Sequence, residues 1–275
     1  MLTLEELLAS NEALPSIPKV IALLINELDQ DEPDLRKISQ LINTDPVLAT
    51  RLLRLANSAQ FQFANKISSV SEALALMGLA QVRTLALAAA VTGAFTAVPG
   101  LDMNQFWRYS LNAAKLARAL AGMVRQNQPA AFTAGLIHAL GELVMHLGLS
   151  QELLVLNQKV PPLSFKRAAT EHKLLGYCYA DVGAGFARNW QFPQATVDAL
   201  EHQCAPFDNE AYEPLAGILH LASWRARARE ANYNEQDLID TFPDEVALNL
   251  GIDIDMALQQ EPINWTSNTD VAILI

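Results

Sequence analysis

Apolar residues recur at intervals of three to four positions along almost the whole chain, and strict alternation of apolar and polar residues is nearly absent. This spacing places apolar side chains on one face of a helix, so it predicts an all-α fold. Several predicted helices begin at residues that commonly cap them: Thr3 with Glu6, Asp34 and Asp45. We predict four short helices before Asn57, and short helices with short connections indicate a compact bundle.

Proline and glycine divide the rest of the chain. Helices are predicted at 72–77 and 79–94, after which Val98, Pro99 and Gly100 interrupt the pattern. Further helices are predicted at about 102–122, 130–148, 150–158, 164–175, 178–190, 193–204 and 211–230. We therefore expect an N-terminal helical lobe at 1–98, a second helical lobe at 99–231 and an acidic C-terminal extension at 232–275. The extension ends in apolar residues, which we expect to dock on the body of the protein.

The composition is that of a folded, acidic protein. The chain has 275 residues, of which 51% are hydrophobic, and this is enough to bury a large core. Its net charge of −11 opposes attraction to nucleic acid and to anionic membranes, so we expect neither as a partner. The cysteines, Cys178 and Cys204, form no CxxC motif. Because no secretion signal or membrane-spanning run is recognised either, we expect a cytoplasmic protein.

His138 is the main candidate for chemistry, because it lies inside an apolar helical run. Glu142 and His146 follow at intervals of four, so the three side chains share one helical face and could ligate a metal. Ala139 weakens this interpretation, since a hydrolase site for a hard cation would need a carboxylate there. In the alternative, structural interpretation, His138 hydrogen-bonds inside a packed interface while Glu142 and His146 reach water. A metal site would need further ligands, for which the candidates are His172, Asp181, Asp198 and His202.

The densest basic cluster consists of Arg225, Arg227 and Arg229, next to Trp224. Positive charge beside an aromatic ring is a feature of nucleic-acid binding. Alternate residues of a helix point in different directions, however, and an acidic segment follows at once. We therefore favour a solvated helix end whose arginines pair with nearby acidic residues.

Other catalytic signatures are missing from the sequence. The chain contains no GxSxG nucleophile elbow, no GxGxxG or P-loop phosphate motif and no cysteine-protease signature. Aromatic residues cluster at 106–109 and at 177–190. Such clusters predict core packing, although rings with polar tips also line pockets.

Blocks of sequence in a fixed order point to one family. They lie at 14–18, 42–48, 52–59 and 67–74 in the first half, and at 106–110, 134–141, 180–184 and 190–193 in the second. Together they closely resemble the HDOD family over about residues 14–205. The resemblance implies a helical bundle of the HD-domain type preceded by an N-terminal helical lobe. It also implies a bacterial signalling output module related to phosphohydrolases that bind divalent metals through a His-Asp pair and further histidines.

The chain departs from the metal-binding pattern of those phosphohydrolases at three positions. Tyr109 and Tyr179 stand where the resemblance leads us to expect histidines, and Ala139 stands where an aspartate would follow His138. These replacements rarely or never bind hard cations. The downstream histidine pair matches loosely, at His202 or the residue after it, depending on the alignment. The resemblance thus implies a vestigial pocket without a catalytic residue, metal or other cofactor, formed by Tyr109, His138, Ala139, Glu142, Tyr179 and His202.

Two functions follow from this resemblance. The first is a non-catalytic signal-transduction module that binds a partner protein or a small ligand through the vestigial pocket or through a cleft between the lobes. Association of identical chains is a further possibility. The alternative is a metal-dependent phosphohydrolase of the phosphodiesterase type with an unorthodox set of divalent-metal ligands. That set would be drawn from His138, Glu142, His172, Asp198 and His202.

Overall fold

The described part of the protein is entirely helical in its regular structure. The structure, a computed structural model, describes residues 2–10, 19–28, 30, 32–57, 66–79, 93–95, 97–189, 192–208, 213–258 and 265. Within these residues no strand occurs, and the predicted all-α class is confirmed. The helices are α1 (Leu4–Ala9), α2 (Lys19–Leu28), α3 (Leu35–Asn43), α4 (Pro46–Ala56), α5 (Val70–Met77), α6 (Met103–Met123), α7 (Gln128–Ile137), α8 (Leu140–Gly148), α9 (Ser150–Lys159), α10 (Arg167–Leu175), α11 (Tyr179–Asn189), α12 (Gln194–His202), α13 (Pro214–Glu230), α14 (Glu235–Asp240), α15 (Asp244–Leu250) and α16 (Ile254–Leu258).

The described helices fall into two compact units. The smaller unit holds α2 to α5, and the larger unit holds α1 together with α6 to α16. These units differ from the segments expected from the sequence, because α1 and α14 to α16 all belong to the larger one. The predicted helix at 79–94 and the apolar end at 271–275 lie largely or wholly outside the described residues.

The smaller unit is organised around α3, which packs against α2, α4 and α5. Asp34 caps α3 by accepting hydrogen bonds from the backbone N–H groups of Arg36 and Lys37. Asn57 follows α4 and binds the backbone of Ile67 in both directions, donating to its carbonyl and accepting from its N–H, each at 2.8 Å. These paired bonds hold the segment that leads into α5. The amide of Asn57 thus satisfies backbone groups of Ile67 that another stretch of backbone would otherwise pair with.

The larger unit is built on α6, which packs against both α7 and α13. Gly135 of α7 lies so close to α6 that an added Cβ would fall 2.7 Å from the Cα of Ala114. A second group of contacts joins α11 to α8 and α12, and α1 packs on the outside of α11. The site described below lies where α6, α7, α11 and α13 converge.

The apolar run predicted as one helix at 130–148 is two helices. The chain leaves α7 at His138 and enters α8 after Ala139, whose φ of −105° and ψ of 8° are not those of an α-helix. The carbonyl of His138 accepts a hydrogen bond from the side chain of Gln203 at 2.9 Å. The sequence pattern alone could not reveal this break, because the group that supports it comes from a distant part of the chain. By length and composition residues 128–148 could span a membrane, but 83% of an apolar 18-residue stretch within them is buried in the protein, as in a core helix.

Gly141 explains why α8 can begin at this place. A Cβ on Gly141 would fall 1.9 Å from the backbone oxygen of Tyr179, the first residue of α11. Only the absence of a side chain permits so close an approach, since no Cβ atom is found at that distance from an oxygen. The backbones at the starts of α8 and α11 are therefore in direct contact.

The C-terminal segment contains helices that the sequence pattern did not predict. Its short α15 packs against α13 and buries Val246 and Ala247. Asn234 and Asp237 form a reciprocal capping box at the start of α14. Such short helices carry too few apolar positions for a periodicity to be recognised, so their local caps were the available signal.

Candidate functional site

His138 is fully buried at the end of α7, where both ring nitrogens are engaged. Its Nε2 lies 2.8 Å from the hydroxyl of Tyr109, and its Nδ1 lies 2.7 Å from the carbonyl of Gly135. Arg227 donates a hydrogen bond from Nε to the same hydroxyl at 3.0 Å, which directs the hydroxyl proton toward Nε2. Nδ1 therefore carries the ring proton and donates it to Gly135. Burial, followed by the positive charge of Arg227, lowers the pKa of His138 to about 3, so the ring is neutral at neutral pH.

Arg227 lies between the two tyrosines that replace the expected histidines. Its Nη2 donates to the hydroxyl of Tyr179 at 2.6 Å, while its Nε donates to Tyr109. The guanidinium carbon also lies 5.8 Å from the ring centre of Tyr109 and 5.5 Å from that of Tyr179. The thiol of Cys204 donates to the Tyr179 hydroxyl at 3.3 Å. One guanidinium thus joins side chains from α6 and α11, and through Tyr109 it is linked to His138.

The charge of Arg227 is buried without a carboxylate partner among the described residues. Its exposed fraction is 8%, and it forms no ion pair in the described part of the chain. Burial raises the pKa of both Tyr109 and Tyr179, so their hydroxyls are protonated and neutral. Hydroxyl dipoles and ring faces offset only part of the cost of burying a cation, which is several kcal/mol for an isolated ion, as an order of magnitude.

A second buried cluster lies beside the first and is centred on Arg167. This side chain is completely buried and donates to the carboxylates of Glu142 at 3.2 Å and Glu171 at 2.5 Å. Burial, and after it the nearby Glu171 carboxylate, raise the pKa of Glu142 well above its ordinary value, whereas Arg167 opposes the shift. Burial and the neighbouring acid therefore favour the protonated form of Glu142, and Arg167 is the cation that the two acids share.

Asn157 and His146 complete the second cluster. Asn157 accepts from Arg167 at 2.8 Å and donates to Nε2 of His146 at 3.0 Å, while Nδ1 of His146 donates to the carbonyl of Glu142 at 2.7 Å. Burial lowers the pKa of His146 to about 4. The structural interpretation of the sequence expected Glu142 and His146 to reach water. That expectation is wrong, because Glu142 is 4% exposed and His146 is fully buried.

The residues of the alternative metal set are not brought together. His172 lies at the surface, 3.5 Å from Asp181, and Asp198 accepts a hydrogen bond from the side chain of Gln194. His202 ends α12, and it is the next residue, Gln203, that binds the backbone of His138. Within the described ranges, no group of three His, Cys, Asp or Glu side chains is arranged to hold a metal ion.

The side chains around Arg227 do not fit the divalent metal that the HD-type resemblance implies. Ala139 offers a methyl group, and the hydroxyls of Tyr109 and Tyr179 already accept hydrogen bonds from the guanidinium. A cation placed among them would be repelled by a fixed positive charge in a medium of low polarity. These side chains therefore do not form a site for a divalent cation.

A cleft of about 450 Å³ opens next to Arg227 within the larger unit. Glu230 lies on its wall and is held by Arg108, whose Nε and Nη2 donate to the two carboxylate oxygens at 2.8 and 2.5 Å. Gln105 donates to the same carboxylate at 3.4 Å. The cleft is lined by Gly100, Leu101, Asp102, Gln105, Phe106, Pro161, Pro162, Leu163, Ser164, Arg227, Glu230 and Ala231.

Arg227 is the site residue that sequence reasoning misplaced. We expected the arginines of α13 to be solvated and paired with acids, yet Arg227 is buried, while Arg225 and Arg229 lie over the ring of Trp265 at 5.4 and 5.3 Å. Arg227 comes three residues after the buried Trp224 and stands between two buried alanines. The spacing of three from Trp224, which places both side chains on one helical face, was the available signal that this arginine faces inward.

This multi-helix, all-α arrangement is that of HD-domain-like proteins. The sequence profile of the HDOD domain matches residues 14–206. The chain belongs to the HDOD domain family, and the resemblance found in the sequence is confirmed.

Solved structures share this fold over nearly the whole chain. A protein of Shewanella amazonensis, described as a candidate phosphohydrolase, is 27% identical and aligns with a TM-score of 0.78, covering 98% of this chain and 100% of that one. An HDOD domain protein of unknown function from Geobacter sulfurreducens is 21% identical with a TM-score of 0.76, covering 95% and 92%.

A curated relative is considerably longer than this chain. An uncharacterised protein of Treponema pallidum is 25% identical over 219 residues, which are 78% of this chain but only 42% of the relative. The chain thus spans less than half of that protein.

Proposed function

We propose that this HDOD protein is a non-catalytic regulatory module whose remodelled pocket binds a signalling partner or a small ligand. The observation that carries the proposal is the guanidinium of Arg227, which lies between Tyr109 and Tyr179 and is linked to His138 through Tyr109. A permanent cation of the chain stands among the positions where the related phosphohydrolases would place metal ligands. The pocket has a charged interior, but its described side chains provide neither a metal site nor a general base that would activate water.

The chemistry of the individual side chains supports this proposal. A general base for hydrolysis needs a pKa near the working pH and a nitrogen that can reach water. His138 meets neither requirement, because its pKa is lowered to about 3 and its Nε2 accepts from Tyr109. Without a metal to lower the pKa of a bound water, no described group next to Arg227 would generate hydroxide.

Metal content and hydrolysis test the proposal directly. The protein is purified without a nickel column, its metals are measured by mass spectrometry, and turnover of bis-p-nitrophenyl phosphate is followed with added Mn²⁺, Mg²⁺ or Zn²⁺. We expect no stoichiometric metal and no turnover above the background of the uncatalysed reaction. Stoichiometric metal, together with turnover that His138→Ala abolishes, would refute the proposal and establish the phosphohydrolase alternative.

Restoring the expected ligands gives a sharper comparison. One variant carries Tyr109→His, Ala139→Asp and Tyr179→His, and a second carries Arg227→Met in addition. If the guanidinium excludes a divalent cation, only the second variant gains Mn²⁺ or Zn²⁺ binding by calorimetry. Equal metal binding by both variants would show that Arg227 is not what keeps the metal out.

The phosphohydrolase alternative is supported mainly by the description of the Shewanella amazonensis protein. That description belongs to the other protein. The ligand set suggested for this chain includes Glu142, which is engaged by Arg167, and His172, which lies at the surface. We therefore keep hydrolysis as the outcome that the metal experiment would reveal.

A further inference from the structure

We infer that the cleft beside Arg227 binds a small organic anion, whose carboxylate or phosphate pairs with this guanidinium while its apolar body lies against the cleft wall. The inference rests on the proposed non-catalytic function and names the class of ligand for the same site.

The first argument is the hydrogen-bonding capacity that Arg227 leaves unused. Its Nε and Nη2 donate to the hydroxyls of Tyr109 and Tyr179, whereas Nη1 has no acceptor among the described residues. Arg227 is more than nine-tenths buried and is part of the cleft lining. A guanidinium edge that is held rigidly on one side and open on the other is suited to a carboxylate or phosphate oxygen.

The second argument is the balance of charge around the cleft. Glu142 and Glu171 are both held by Arg167, and Glu230 is held by Arg108. Glu142 and Glu171 share the single cation of Arg167, Glu230 pairs with Arg108, and none of the three acids forms an ion pair with Arg227. The charge of Glu142 is felt by Arg227 only from a distance, and no carboxylate contacts the guanidinium within the described part of the chain. An anionic ligand would supply a directly bound counter-ion.

The third argument is the shape and composition of the cleft. Its volume of about 450 Å³ lies within the range of small-molecule pockets, which is roughly 300–1,000 Å³. Phe106, Pro161, Pro162 and Leu163 give it apolar walls beside the charged group. Rigid, flat surfaces of this kind suit an aromatic ring, so the ligand class is a ring bearing a single anionic group.

Calorimetric or NMR titration with simple probes tests the inference. Phenyl phosphate and benzoate represent the two anionic groups, inorganic phosphate lacks the apolar body, and benzyl alcohol lacks the charge. We expect phenyl phosphate or benzoate to bind at least about tenfold more tightly than benzyl alcohol, because charge-assisted hydrogen bonds contribute that much or more. Equal binding of charged and neutral probes, or no binding of either anion, would overturn the inference.

Three variants separate the cleft from general effects on folding. Arg227→Met removes the charge and should abolish the preference for the anions. Leu163→Trp fills the cleft without altering the guanidinium and should weaken binding of the ring-bearing probes about tenfold or more. Leu174→Trp adds the same side chain at a surface position that is 50% exposed, and it should bind like the wild type. Unchanged binding in Leu163→Trp would place the probe elsewhere and refute the inference even if Arg227→Met failed to fold.

The two proposals fail in different ways. A protein that is free of metal, inactive and unable to bind the anions would refute the ligand class and leave the non-catalytic function standing. Stoichiometric metal with turnover would refute the non-catalytic function itself.

Discussion

We expect the larger unit to lose stability in acid because His138 is buried as a neutral ring. A substitution of His138 should remove this part of the pH dependence. The pKa of this ring is lowered to about 3 in the folded protein, from an ordinary value of 6.5. Between these two values the unfolded chain binds more protons than the folded one, so the free energy of unfolding falls as the pH falls. The contribution of the neutral ring is complete above pH 6.5 and is progressively lost below it.

The size of the effect follows from the same two pKa values. A pH of about 4.5 lies about two units below the pKa of the ring in the unfolded chain, so that ring is protonated. The ring in the folded protein is still neutral at this pH. Each unit corresponds to about 1.36 kcal/mol, so His138 should lower the free energy of unfolding by about 2–3 kcal/mol between about pH 7.5 and 4.5. This is a large share of the stability of a typical domain.

Urea unfolding followed by tryptophan fluorescence measures this quantity. The smaller unit, within 15–96 and 267–275, contains no tryptophan, so the signal reports on the larger unit that holds His138. We expect His138→Gln to be less stable than the wild type at about pH 7.5 but to lose about 2–3 kcal/mol less on acidification. Contributions of the carboxylates are common to both proteins and cancel in this difference.

A wild-type pH dependence in His138→Gln would refute the reasoning. It would mean that His138 is not a neutral, desolvated ring in the folded protein. The same measurement on His146→Gln provides an independent check, because burial lowers the pKa of His146 to about 4.

Three further substitutions test contacts that lie within the larger unit or within the smaller one. Gly141→Ala places a Cβ 1.9 Å from the backbone oxygen of Tyr179, so it should cost about 1–3 kcal/mol or more in urea unfolding; wild-type stability would contradict the direct backbone contact. Arg167→Met leaves two buried carboxylates without their cation and should cost about 3–5 kcal/mol, a loss that should diminish at acidic pH as they become protonated. Asn57→Ala removes both hydrogen bonds to Ile67, so we expect a cost of about 1–3 kcal/mol and faster amide exchange at Ile67; unchanged exchange would show that the bonds contribute little.

Helices with strong local signals could be predicted closely from the sequence. The helix expected at about 102–122 spans Met103–Met123, with Asp102 as its cap, and the one expected at 150–158 spans Ser150–Lys159. Their boundaries depend on nearby residues that cap or interrupt a helix. Apolar periodicity supports the helix Ser150–Lys159, which buries Leu153 and Leu156 on one side. The helix Met103–Met123 is buried all round at residues 109–114, so its caps were the clearer signal there.

The break between α7 and α8 shows where local signals end. No proline interrupts the sequence near His138, and apart from Gly135 and Gly141 the residues on both sides are apolar and helix-forming. The break is supported by the amide of Gln203, which is 65 positions away, and by the backbone contact at Gly141. Contacts of this range depend on the assembled fold, so periodicity cannot predict them.

The candidate site was predicted in part. The resemblance to the HDOD family drew attention to Tyr109, His138 and Tyr179, and the structure links all three through hydrogen bonds. It gave no reason to consider Arg227 or Arg167 as site residues, because arginine is ordinarily a surface residue. Their burial depends on partners from several different helices, which a single helical pattern does not reveal.

The guanidinium at the centre of this site bears on whether the protein depends on the supply of metal ions in a cell. A metal centre must be filled after synthesis and can be emptied or mismetallated when the supply of ions changes. Arg227 is incorporated by translation and keeps its proton under all physiological conditions. Under the proposed non-catalytic function, a domain organised around Arg227 is complete as soon as it folds. We then expect its abundance and shape to be unchanged by zinc or iron starvation and by chelators.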